Sequence, residues 1–174
     1  MSEGASRTLG GSMSQSMRRL FARAPAYRPL PAARAGECAR LHATGFSFPW
    51  SEEDFEQLLT DASVVADGAF DADDALCGMI LSRTAADEAE ILTIAVAPER
   101  RRAGVGAALL RVQTPRLVAR GAERLFLEVD SGNLAARALY AARGFRKVGE
   151  RKAYYRKGDA PPASALLLRL DFNP

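Results

Sequence analysis

Residues 88–145 read EAEILTIAVAPERRRAGVGAALLRVQTPRLVARGAERLFLEVDSGNLAARALYAARGF, and this stretch decides the fold class. Glu88–Val96 reads as a strand, apolar at Ile91, Ile94 and Val96. Gly104–Ala119 follows with helical spacing through Val105, Leu109, Val112 and Leu117, and Gly121 is placed to cap its C-terminus. Pro115 deletes one helical N–H bond there and is expected to kink the helix or end it early. Arg124–Val129 is the next strand, and Asp130–Asn133 is a turn that starts a helix ending near Ala142, before Gly144. Phe145–Val148 and Ser164–Asp171 close as strands. Strand-helix-strand-helix-strand requires an α/β sheet with parallel pairing at its centre.

Upstream, Tyr27–Leu30 reads as an edge strand carrying Pro29, and Pro31 suits the first turn of a helix to about His42. A loop with Phe46, Phe48, Pro49 and Trp50 leads to a short helix, Glu52–Leu59, capped by Ser51 with Asp54. Ser63–Ala69 and Ala75–Arg83 are strands joined by a turn at Asp71–Asp74.

At 174 residues, 48% apolar and 26% charged, the chain has the size and composition of one globular domain. No apolar run approaches the ~18 residues of a membrane span. Cys38, Cys77 and His42 cannot make a four-ligand Cys/His zinc site, so no metal is expected. A single His and no GxSxG leave little material for a Ser-His-Asp hydrolase. The basic balance is local: residues 1–36 hold six Arg against Glu3, and the remainder holds 18 basic and 20 acidic groups. The folded part therefore lacks the clustered cations of a nucleic-acid binder. Residues 1–25 read as a disordered basic extension and 26–174 as the domain. With no apolar core of a secretory signal in that extension, a cytoplasmic chain with two free, buried thiols is expected.

Three features carry chemistry. Arg101-Arg102-Ala103-Gly104-Val105-Gly106 lies between a strand and a helix, where glycines allow close backbone approach and the helix N-terminus favours an anion such as a diphosphate. Glycine at such a turn is also commonly structural. The turn is not a Walker A loop, and Leu109 stands where a dinucleotide fingerprint needs its third Gly. Glu128 sits in an apolar strand, sharing a face with Phe126 while Leu125, Leu127 and Val129 take the other. A carboxylate there is costly unless solvated, paired or used as a base, and a strand-end salt bridge is the plain alternative. Asn133 and Tyr140 lie two helical turns apart on an alanine-rich helix, where Tyr140 could equally be a core aromatic. His42 is expected to pack with its ring tip wet, and Trp50 with Phe46 and Phe48 either fills core or lines a groove.

Taken in order and spacing, Ile94-Ala95-Val96, Arg101-x-x-Gly104-x-Gly106, Leu127-Glu128-Val129, Asn133, Leu139-Tyr140 and Gly144-Phe145 resemble the GNAT N-acetyltransferases. Phe48-Pro49-Trp50-Ser51 and the Tyr154-Tyr155 pair narrow the resemblance to the RimI-like branch, which acetylates the N-terminal alanine of a small-subunit ribosomal protein. The resemblance spans about residues 27–157. It implies a GNAT fold, a mixed central β-sheet whose parallel central strands splay apart, flanked by helices. It implies acetyl-CoA as cosubstrate, its pantetheine arm on the backbone of Ile94, Ala95 and Val96 and its pyrophosphate on the turn Arg101, Arg102, Ala103, Gly104, Val105, Gly106 and Ala107. Asn133 would contact the cosubstrate, Glu128 would accept a proton and Tyr140 would donate one to the leaving thiolate. Phe48, Trp50, Tyr154 and Tyr155 would line the site for a protein N-terminus, as of a ribosomal protein.

The sequence departs from that branch where Pro161-Pro162 separate Asp159-Ala160 from the last strand, in a loop expected to help shape the peptide site, and at Pro115. A relative acting on a small-molecule amine, or a non-catalytic acetyl-CoA-binding module, is the alternative. The aromatic loop favours a peptide, and Glu128 with Tyr140 argues against a mere sensor.

Overall fold

The computed structural model describes residues 24–157 and 160–172, with side chains over 24–152 and 164–172. The extension expected over 1–25 falls outside these residues as far as residue 23, and so do Gly158 and Asp159. The described residues form seven strands: β1 (Ala26–Pro29), β2 (Val64–Phe70), β3 (Leu76–Ala85), β4 (Glu88–Val96), β5 (Arg124–Asp130), β6 (Arg146–Lys157) and β7 (Ala160–Asp171). They form one sheet in the order β1-β2-β3-β4-β5-β7-β6. Among the described residues β4 and β5 are the parallel neighbours, and the other pairs run antiparallel. The helices are α1 (Ala35–Ala43), α2 (Glu52–Thr60), α3 (Val105–Val118) and α4 (Leu134–Ala141).

Local chemistry explains the element ends. Ser51 and Asp54 form a reciprocal capping box on α2, with Asp54 N donating to Ser51 Oγ at 3.1 Å and Ser51 N to Asp54 Oδ2 at 2.7 Å. In the β2–β3 turn, Asp71 Oδ1 accepts from the backbone N–H of Asp73 and of Ala75, both at 3.0 Å. The first helix begins later than expected, because residues Ala32–Arg34 after Pro31 form a 3₁₀ turn before α1.

Pro115 neither ends nor shortens α3, which runs on to Val118. The residue is exposed, as is Arg111, whose carbonyl would have received the missing N–H bond, so that carbonyl can turn to water. The last two strands are longer than Phe145–Val148 and Ser164–Asp171, and Pro161-Pro162 belong to β7 rather than to a connecting loop.

β4 explains the odd spacing of its apolar residues. Arg83 pairs with Glu90 and Ser82 with Ile91, but Leu81 pairs with Thr93, so Leu92 is an extra residue at a β-bulge. The bulge shifts the period by one. Ala89, Ile91, Ile94 and Val96 thus share one face with Leu125, Leu127 and Val129, while Glu90, Thr93 and Ala95 share the other with Phe126 and Glu128. The first face packs under α3, and α1 and α2 cover the second. Gly78 on β3 is required there, since a Cβ would lie 2.8 Å from Val105 Cγ1 of α3.

A buried polar set also ties α3 to the sheet. Gln113 donates to the carbonyls of Val65 and Ile80 and accepts from Ser82, while Arg116 pairs with the fully buried Asp67. Both cysteines are buried free thiols, and burial pushes that of Cys38 up to about 12, which leaves it inert.

Candidate active site

The split between β4 and β5 is the centre of the site. The two strands pair only over Glu88–Glu90 with Arg124–Phe126. Beyond that, β3 keeps hold of β4 as far as Val96, and β7 holds β5 as far as Asp130. Each strand follows its outer partner and the pair diverges. The inner edge of β4 across Ile94, Ala95 and Val96 is therefore left without a strand neighbour, offering backbone N–H and C=O groups to a ligand.

At the end of β4 the chain turns into α3. Arg102 and Gly104 both lie in the left-handed region, at φ +62° and +80°. Gly104 is the N-cap of α3 and supplies no side chain to cap it, so the first-turn N–H groups lack intrahelical partners. Apart from its chain neighbours, no atom of the described residues lies within 4 Å of where a Cβ at Gly104 would stand. A Cβ at Gly106 would come to 3.3 Å from Leu139 Cδ2 of α4 and 3.8 Å from both Ile94 and Val96, so the turn, the split and α4 meet at one place. Arg101 shapes the turn: its Nε donates to Val96 O at 3.0 Å and its Nη2 to Thr44 O at 3.1 Å. Open backbone amides at an uncapped helix start, beside an unpaired strand edge, fit a diphosphate on an extended arm.

Glu128 sits on β5 at the split, on the face of α1 and α2. Its side chain is 23% exposed, with Oε1 3.4 Å from Nη2 of Arg151 on β6. It is a solvated, paired carboxylate rather than a buried one, and the pairing reaches across β7, which lies between β5 and β6 in the sheet. Tyr140 is on α4, on the opposite face, with 4% of its surface exposed and its ring edge-on to Phe145 at 5.4 Å. Burial pushes its phenol up to about 12. Asn133 is exposed and caps α4, its Oδ1 accepting from Ala136 N at 3.1 Å.

The loop 44–50 joins α1 to α2, the two helices on the Glu128 face. His42 is not wet at its tip: it is 2% exposed, stacked on Phe46 at 3.9 Å and on Trp50 at 5.0 Å. Its Nδ1 accepts from Trp50 N at 3.1 Å, which puts the proton of the neutral ring on Nε2. Trp50 thus packs into the core margin, whereas Phe48 stands 87% exposed. Tyr155 pairs in register with Ala163, and the side chains of Tyr154 and Tyr155 lie outside the described residues.

Burial of His42 lowers its pKa below the ordinary 6.5. On acidification the unfolded chain therefore takes up this proton first. Stability is expected to fall as pH drops below about 6.5, by up to ~1.4 kcal/mol per pH unit, until the folded pKa is reached. Chemical denaturation between pH 7 and about 5 checks this in wild type and His42→Gln. An equal slope in the variant overturns it.

Residues 36–145 match the profile of the acetyltransferase (GNAT) family. The chain belongs to that family. Among curated relatives it is 37% identical over 126 residues to the [ribosomal protein bS18]-alanine N-acetyltransferase of Salmonella typhimurium, covering 72% of this chain and 80% of the other. The protein of that name from Escherichia coli K12 is 35% identical over 130 residues, with the same shares covered. The crystal structure of the ribosomal-protein-S18-alanine N-acetyltransferase from Escherichia coli superposes with a TM-score of 0.77 at 28% identity, covering 84% of this chain and 93% of that one.

This GNAT protein is an acetyl-CoA-dependent acyltransferase with a mixed sheet split between its central parallel strands. Among the described residues no helix is long and apolar enough to cross a membrane. Saturating acetyl-CoA is expected to raise its Tm, since ligand at 100 times Kd adds about 2.7 kcal/mol. The double variant Gly104→Val, Gly106→Val should lose that shift, because one side chain enters the open space at the turn and the other meets Leu139. Retention of the full shift by a folded variant would show that the turn does not hold the cosubstrate.

Sequence reasoning missed Arg151 and the bulge at Leu92. For Arg151 no local signal exists. For the bulge one does: the three-residue step from Ile91 to Ile94 breaks the period of two.

Proposed function

We propose that this protein acetylates the N-terminal α-amine of a protein in the cytoplasm, an N-terminal alanine as on ribosomal protein bS18, with Glu128 as proton acceptor and the Tyr140 hydroxyl as hydrogen-bond donor to the leaving thiolate. The observation that carries the reading is the disposition of the two groups on opposite faces of the split sheet. Glu128 is on the side of the 44–50 loop, where an acceptor would lie, and Tyr140 is on the side of the phosphate turn.

Acetyl-CoA supplies an activated thioester, and the protein's residues do the rest. The amides of Arg102, Ala103, Gly104, Val105, Gly106 and Ala107 hold the pyrophosphate, and Arg101 keeps the turn in shape through Val96 and Thr44. Ile94, Ala95 and Val96 hold the extended arm by backbone hydrogen bonds. Asn133, whose Oδ1 is engaged as a cap, offers its amide NH₂.

An α-amine has a pKa near ~8, so at neutral pH one proton must leave before attack. Glu128 takes it, and the carboxylate's partial exposure lets it pass the proton to water. Tyr140, with its phenol raised to about 12, stays protonated throughout the working range. A phenol so far above the ~8.5 of a thiol stabilises the departing sulfur by donating a hydrogen bond rather than by surrendering its proton outright.

Phe48 is exposed, and it is assigned, together with Trp50 and with Tyr154 and Tyr155 of β6, to the acceptor site for an extended peptide. The test is a panel of N-terminal peptides and small primary amines, incubated with acetyl-CoA while free thiol is followed. Ala-first peptides are expected to turn over fastest. A small amine acetylated faster than every peptide would overturn the reading in favour of a small-molecule acetyltransferase.

A further inference from the structure

The buried hydroxyl of Thr93 has no role in the scheme above. Thr93 is 4% exposed, its Oγ1 is closed off from bulk water, and that oxygen has no hydrogen-bond partner among the described residues. A buried hydroxyl without a partner is a net cost to the fold, and Val fills the same volume without it. Such a group is retained where its partner arrives with a ligand.

The register says which ligand. Thr93 pairs with Leu81 and Glu90 with Arg83, so Thr93 stands two ladder positions beyond Glu90 on the same face. Glu128 stands two positions beyond Phe126, and Phe126 is the residue opposite Glu90 where β4 and β5 still pair. Thr93 and Glu128 therefore occupy equivalent levels on the two arms of the split, on the same face of the sheet. The bulge at Leu92 brings this about: without the extra residue, Thr93 would fall on the face of α3.

We propose that Thr93 Oγ1 is a second anchor for the acceptor amine, taking a hydrogen bond from one of its N–H groups while Glu128 takes a proton from another. Resting on the α-amine reading above, it makes Thr93 a substrate-binding residue. An α-ammonium has three N–H groups, and one acceptor leaves it free to swing. Two acceptors, one on each arm at the same level of the split, fix the nitrogen between the arms, where the thioester carbon must come.

The test compares wild type, Thr93→Val and Thr93→Ser on an Ala-first peptide and on the same peptide carrying propionyl in place of its first alanine, which lacks the amine. In the presence of CoA, wild type is expected to bind the amine-bearing peptide more tightly than the propionyl analogue. Thr93→Val should lose at least tenfold in that preference and in kcat/KM for the peptide, with KM for acetyl-CoA unchanged and Tm equal or higher. Thr93→Ser should recover to within about threefold of wild type.

A purely structural Thr93 would instead lower Tm with no change in the amine preference, and that result overturns the proposal. So does a Thr93→Val enzyme equal to wild type on a peptide that wild type acetylates. If wild type neither binds nor acetylates any peptide, the α-amine reading and this one fall together.

Discussion

Glu128→Gln is expected to lower kcat on an Ala-first peptide by roughly 10²–10³ near neutral pH, the usual loss for a removed general base. Gln preserves the shape and loses the basic oxygen. The deficit should shrink as pH rises, because above ~8 the amine arrives already neutral and needs no acceptor. Loss of the ion pair to Arg151 is a small matter for the fold: both partners reach solvent, and such exposed pairs contribute ~1 kcal/mol or less. An essentially unchanged Tm beside a collapsed kcat is thus the expected pair of results. A variant as fast as wild type at neutral pH would remove Glu128 from the chemistry and leave it as a strand-to-strand salt bridge.

Tyr140→Phe is expected to lower kcat by roughly 10–10², with KM for the peptide unchanged. The ring and its edge contact with Phe145 remain, and only the hydroxyl is lost. Raising the pH should not restore the rate, since the missing group is a donor and the natural phenol, at about 12, is still protonated at the top of any workable profile. The two variants therefore separate in their pH–rate profiles: a gap that closes for Glu128→Gln and a parallel offset for Tyr140→Phe. A Tyr140→Phe gap that closes with pH would reassign the tyrosine to the acceptor side.

Much of this protein was legible in one dimension because its signals are local. The capping box at Ser51 and Asp54, the Asp71–Asp74 turn and the alternation along Arg124–Val129 depend on neighbours a few residues away, and each appears where the sequence put it. The glycines at 104 and 106 likewise announced a close-approach turn, and their order with Glu128, Asn133 and Tyr140 pointed to the family. Helix length at Pro115 was misjudged because propensity ignores surroundings. The lost bond lies on the solvent side, while Gln113 and Arg116 anchor the same turn of helix to β2 and β3.

Sequence alone determined that a parallel pair sits at the sheet's centre, since a helix between two strands permits little else, and that a glycine turn into a helix follows the first of them. Tertiary structure alone decided what stands beside what. Burial of His42 between Phe46 and Trp50 depends on a loop folding back over its own helix. The pairing of Glu128 with Arg151 depends on β7 lying between β5 and β6. The equivalence of Thr93 and Glu128 across the split depends on one extra residue in β4 and on β3 and β7 pulling the central strands apart. Periodicity fixes which face a side chain takes within its own strand, but register between strands is set by pairing over long sequence separations, and no local pattern encodes it.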